Sequence, residues 1–208
     1  MAATYDNATS NEGNSTSPNA SFTIAGASRL LIVGLVANSD PPITLATSDG
    51  LPLTELAVVG SMHMFYLIAP NAGVNPVLFT LGSAVDWVVG AVSVNGAAQI
   101  APVPQTHTNT ESAFIQRTVE TTFDGLVVDC ALMINDTMAA AAGQTERVSR
   151  DSFMGVFASF GMSTKPGTGG TVNMQWDATA TFGDNGIIVV PILAGAAAMG
   201  ASLSWLRA

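Results

Sequence analysis

"STKPGTGGTVNMQW", residues 163 to 176, holds the chain's only lysine beside a proline and three glycines. Such a stretch can cradle phosphate, or it can turn one strand into the next. A phosphate loop of the G-x-x-x-x-G-K-[ST] kind places the lysine after the glycines, at the opening of a helix. Here Lys165 comes before Gly167, Gly169 and Gly170, and Pro166 follows it directly. Thr171 to Trp176 then alternate polar and apolar with a period of two. That alternation predicts a half-buried strand with Val172, Met174 and Trp176 facing a core. The stretch is a turn feeding a tryptophan inward.

Working outward, the rest of the chain has the same texture. Apolar runs such as "RLLIVGLVA" (29–37), "MHMFYLIAP" (62–70), "WVVGAVSVNG" (87–96), "LVVDCALMIN" (126–135) and "GIIVVPILA" (186–194) are separated by Gly, Pro, Asn and Asp. Asp49-Gly50 is a hairpin signal, "PNAG" (70–73) another turn, and Asp124-Gly125 a third. About ten strands at spacings of roughly 8–12 residues predict an all-β chain, an antiparallel β-sandwich or jelly roll. The helices that parallel crossovers need are missing. Only the alanine run in "DTMAAAAGQTE" has helical propensity, so at most one short helix is expected, around 137–142, ended by Gly143. No internal repeat of fixed period is visible.

The ends read differently. Residues 1–20 are mostly Asn, Ser, Thr and Ala with no apolar period, and are expected to form a flexible N-terminal arm before a β-sandwich domain at 21–194. Residues 195–208 form an Ala/Gly-rich C-terminal extension. From Gly186 to Leu206 there is no charge, a length sufficient to cross a bilayer. Pro191 and the small residues that follow instead suggest a buried last strand and a tail, with no membrane partner. Neither a basic nor an apolar stretch marks the N-terminus as a secretory leader.

The 208 residues are 48% hydrophobic and only 10% charged, where soluble domains average roughly 25% charged. Six basic residues stand against fifteen acidic ones, a formal net charge of −9. Phosphate backbones are bound by releasing counterions to Lys and Arg, so nucleic acid is excluded as a partner. A surface of neutral polar groups repels its neighbours weakly and suits a subunit packed into an assembly.

Catalytic groups are sparse. Cys130 lies in an apolar run with neither His63 nor His107 near it in sequence, as an inert buried thiol does. No G-x-S-x-G elbow accompanies the histidines. His63 alternates with Met62 and Met64 and reads as structural, while His107 sits in a solvated Thr/Asn/Gln stretch. Asp124 and Asp129, five apart, would project to opposite faces of one strand, so they do not pair for glycoside chemistry. "GDNG" (183–186) could offer oxygen ligands to calcium, but no D-x-D-x-D series supports it. Four N-x-S/T sequons, at Asn7, Asn14, Asn19 and Asn135, arise easily in so Asn-rich a chain. No catalytic residue, metal ligand or cofactor is expected. Trp87 and Trp176 read as core.

Several phrases together carry a resemblance: "YDNATSN", "ASRLLIVGLVAN", "DGLPLTEL", "MFYLIAPNAGVNPVLFTL", "VGAVSVNGAAQIAPV", "FDGLVVDCALMI", "AAGQTERVS" and "GMSTKPGTGGTVNMQWDATA", with the closing "GIIVVPILA". In this order the chain resembles a family of standalone β-sandwich proteins of phage and environmental viral genomes. The resemblance implies a concanavalin-like or jelly-roll sandwich and brings no catalytic motif. It leads to the expectation of a non-enzymatic virion structural protein, a capsid decoration (cement) protein made in the host cytoplasm and carried on the particle surface. The major capsid protein and further copies of the chain, in a homo-oligomer such as a trimer, are the expected partners. Tyr5 in the arm and Met199, Leu203, Trp205 and Leu206 in the extension are the expected subunit contacts. A carbohydrate-binding or adhesion module is the alternative.

Overall fold

A computed structural model describes residues 1–110, 113–134, 137–151, 158–178 and 183–195. It is all-β. The first nine strands are β1 (Thr4–Ser15), β2 (Asn19–Ile24), β3 (Leu30–Ala37), β4 (Ile43–Ser48), β5 (Leu51–Pro52), β6 (Thr54–Val59), β7 (Met62–Ile68), β8 (Gly73–Leu81) and β9 (Val85–Asn95). The other eight are β10 (Gln105–Thr110), β11 (Phe114–Glu120), β12 (Leu126–Met133), β13 (Met138–Ala140), β14 (Thr145–Arg150), β15 (Ser159–Pro166), β16 (Thr171–Ala178) and β17 (Asp184–Ile192). These seventeen strands exceed the ten expected, chiefly because the polar strands β1, β2, β10 and β14 carry no continuous apolar run and β13 is only three residues long.

The pairing is antiparallel throughout and forms four sheets, β1-β9-β3-β7-β6, β2-β8-β4-β5, β10-β17-β12-β15-β14 and β11-β16-β13. The first two interleave as a jelly roll, since β1, β2, β3, β4, then β7, β8 and β9 alternate between sheets. The last two repeat that plan: β10 to β13 follow β1 to β4, and β14 to β17 follow β6 to β9. Only β5 has no counterpart among the described residues. The chain is two jelly rolls in tandem, not one sandwich over 21–194.

Three cores separate the four layers. One lies inside each jelly roll, and a third, containing Ile32, Met64, Val92, Cys130, Phe160 and Ile188, lies between the two inner sheets. This explains the sequence texture. Strands β3 and β12 are covered on both faces and are buried along their full length. Strands β2 and β16 face water on one side and alternate. Each Leu, Ile or Met buried between the layers contributes on the order of 1.5–3 kcal/mol.

The two jelly rolls face each other about a pseudo-twofold. Gly34 pairs with Met64 and Gly90, and Cys130 at the same place pairs with Met162 and Ile188. The equivalent positions meet at the axis: a Cβ on Gly34 would lie 2.6 Å from the Cys130 sulfur. The main chain crosses symmetrically as well, with Ala3 N donating to Asp124 O and Ala97 N to Ser28 O.

Two sequence expectations are corrected. Residues 1–20 are not a free arm: β1 pairs with β9 from Thr4↔Asn95 to Ser15↔Val85. An edge strand is held by its backbone ladder, so it needs no apolar period. Its side chains add to this, Asn7 Nδ2 donating to Thr23 O and Asn11 Nδ2 to Asn19 O. The helix around 137–142 does not form. Met138–Ala140 is strand β13, paired with Ala178 to Trp176 of β16, so tertiary pairing overrides alanine's propensity. The turns expected at 70–73, at Asp124-Gly125 and at 167–170 do join consecutive strands. Each carries the chain between an inner and an outer sheet. Asp49-Gly50, with φ of 47° and 75°, does close the β4–β5 hairpin as expected.

Candidate functional site

Strands β6 and β14 each contain a β-bulge at the same point. The register slips between Glu55 and Ala57 in one jelly roll and between Glu146 and Val148 in the other. A bulge re-aims the extra side chain. In the first it is Leu56, which packs against the inter-sheet core. In the second it is Arg147. The Arg147 guanidinium carbon sits 3.6 Å from the centre of the Tyr5 ring, and Nε donates to Thr164 Oγ1 at 2.8 Å. Cation–π contact and hydrogen bond together fix its direction.

Arg147 lines a groove of about 360 Å³, walled by residues 2–5, Phe123 to Leu126, Thr145, Thr164 and Pro166. Phe123 is 81% exposed. Its ring lies on Gly169, where φ is 75° and a Cβ would come within 2.4 Å of the ring. Glycine is required there on both counts. Gly167 N donates to Gly125 O, Thr168 N to Thr121 Oγ1 and Thr121 N to Gly170 O. Thus the turn in "STKPGTGGTVNMQW" grips the loop that presents Phe123 and Asp124. Tyr5, an expected subunit contact, is engaged by Arg147 of its own chain.

Behind this groove, the second jelly roll encloses an ionisable group. Asp129 Oδ1 accepts from Ser163 N at 2.7 Å and from Ser163 Oγ at 2.8 Å. Oδ2 accepts from Trp176 Nε1 at 2.9 Å and from Gln144 Nε2 at 3.4 Å. Burial pushes the Asp129 carboxyl from 3.8 up to about 7, opposed by the bonds from Ser163 and Trp176. Asp129 and Asp124 do not face each other: one is sealed in the core and the other lines the groove. Sequence reasoning missed the network, although an acid inside "LVVDCALMI" was a signal for it.

The remaining candidates are structural. Cys130 is buried, with its thiol donating to Met62 Sδ at 3.3 Å, and burial raises its pKa well above the ordinary value. His63 Nδ1 lies 2.7 Å from Glu55 Oε1 and Nε2 lies 2.8 Å from Asp40 Oδ1. His107 is exposed on the edge strand β10. Lys165 Nζ donates to Asn173 O. Trp87 and Trp176 are core. The "GDNG" segment runs into strand β17, where Asn185 Oδ1 accepts from Ile134 N. Among the described residues no group of three His, Cys, Asp or Glu side chains is placed to hold a metal ion, and no helix is long and apolar enough to cross a membrane. Met199, Leu203, Trp205 and Leu206 lie outside the described residues.

A second groove, apolar and of about 150 Å³, is lined by Leu30, residues 98, 100–103 and 191–193. Ile100, Val103 and Leu193 on its walls are exposed. Gly195 N donates to Gly96 O and the Met1 amino group to Gly195 O, so both ends of the described chain and its midpoint converge beside it. Comparison with protein families, curated proteins and solved structures found no match for this chain.

Proposed function

We propose that this chain is a non-enzymatic structural protein of a virus particle, a capsid decoration (cement) subunit that acts by protein–protein contact. The observation that carries this reading is the apolar groove where Gly96 and Gly195 meet, rimmed by exposed Ile100, Val103 and Leu193. Burying such a patch against a neighbour supplies association energy, and a surface with so few charges has little to desolvate. The major capsid protein and further copies of this chain, arranged about a particle symmetry axis, are the partners it would bridge. The resemblance to phage β-sandwich proteins supports the same placement on the particle surface after synthesis in the host cytoplasm.

Quantifying the chain in purified particles tests this. A copy number comparable to the major capsid subunit, with release on Ile100→Asp plus Val103→Asp, is the expected result. Absence from the particle, or a few copies at a tail tip, overturns the decoration role.

A further inference from the structure

We propose that the Arg147 groove is a binding site for an acidic saccharide, a uronic or sialic acid residue whose carboxylate meets the guanidinium and whose ring lies on Phe123. This inference does not rest on the decoration reading.

The arginine is prepared for a ligand. Its Nε is used by Thr164 and one face of the guanidinium rests on Tyr5, while its two Nη groups have no partner among the described residues. An oriented guanidinium edge with free Nη donors matches a carboxylate's two oxygens. No Arg or Lys among the described residues makes an ion pair; the only ones are those of His63. Arg147 is therefore a charge without a counter-ion in a chain of net charge −9.

The other walls select a sugar over a simple anion. Phe123 rests one side of its ring on Gly169 and is otherwise 81% exposed, an open aromatic platform against which pyranose C–H groups can pack. Asp124 and the hydroxyl-bearing residues Thr145 and Thr164 line the same groove and can accept from or donate to sugar hydroxyls. The volume of about 360 Å³ lies in the range of small-ligand sites. The equivalent bulge carries Leu56, so the chain contains its own example of that bulge built without the charge.

The test titrates the full-length, isotope-labelled chain with trigalacturonate, with its methyl ester, with sialyllactose and with tetraglutamate, following amide chemical shifts. One acidic saccharide at least is expected to saturate with a dissociation constant on the order of 1 mM or tighter. Its shifts should centre on Tyr5, Phe123 to Leu126 and Thr145 to Val148. Esterification, Arg147→Leu and Phe123→Ala should each weaken binding roughly tenfold or more, as loss of a charge-assisted or stacking contact does. The ester comparison uses only the native chain, so it holds even where a variant fails to fold. The site is overturned if neither acidic saccharide binds, if the ester binds equally well, or if folded Arg147→Leu binds unchanged. Binding of tetraglutamate at these residues in place of the saccharides overturns the sugar assignment.

Discussion

Two jelly rolls of one connectivity fill the same core position in opposite ways. In the first, Val33 pairs with Phe65, whose ring packs against Phe79 at 5.3 Å. In the second, the equivalent pair is Asp129 and Ser163, and the space holds a carboxylate with its four donors. One neighbouring position differs as sharply. His63, clasped by Glu55 and Asp40, corresponds to Gly161, where a Cβ would collide with the Trp176 ring at 2.4 Å. The fold is set by strand order and by which face is covered. The chemistry inside is a separate choice, provided every buried polar group finds a partner.

The largest effect should come from exchanging the two solutions. Asp129→Val takes the acceptor from Trp176 Nε1 and from Ser163 N and Oγ, and should cost about 3–5 kcal/mol. Val33→Asp buries a carboxylate with no donors and should cost at least roughly as much. Urea unfolding of both variants measures this. A loss under about 1 kcal/mol in either would show that the two cores are interchangeable.

Next comes the axis. Gly34→Ala drives a Cβ to 2.6 Å from the Cys130 sulfur and 3.0 Å from Phe160, an overpacking worth about 1–3 kcal/mol. Removing that sulfur with Cys130→Ala in the same chain should recover part of the loss, seen as a higher urea midpoint than the single variant.

The pH dependence separates the cores without disrupting either. With its carboxyl raised from 3.8 to about 7, Asp129 keeps its proton in the native state over a range where the unfolded chain gives it up. Its contribution is complete below about pH 4 and declines as pH rises to about 7, by a few kcal/mol at most. The stability difference between the native chain and Asp129→Asn should therefore shrink across that window. A difference that is flat with pH would mean that Asp129 does not titrate there.

The smallest effect belongs to the clasp peculiar to the first jelly roll. Asp40 and Glu55 are about half exposed, so Asp40→Asn should cost only about 0.2–1 kcal/mol, and less at high salt. Thermal melts at low and high salt would read it.

Much of the fold was legible in the chain. The apolar runs became β3, β7, β9, β12 and β17, and both strand tryptophans became core, because continuous or alternating hydrophobicity follows directly from how many faces are covered. The doubling was hidden. Gly34 corresponds to Cys130, Glu55 to Glu146 and Met64 to Met162, offsets of 96, 91 and 98, because loops differ and β5 is lost. A drifting offset leaves no period. Of the expected contacts, Tyr5 faces its own chain. The Arg147 groove could not be read at all, since a bulge is a pairing irregularity that composition does not mark.

The contact between Gly34 and Cys130 is what a symmetric dimer would place on its axis, yet here residues 96–104 tie the partners together. A tether holds the second lobe at an effective concentration on the order of millimolar, so dilution cannot separate the inner sheets. The melting temperature should accordingly be independent of protein concentration, unlike that of a dissociating pair. The tether also frees the lobes from identity. In a homodimer each substitution appears on both sides; here Leu56 could stay apolar while its counterpart is Arg147.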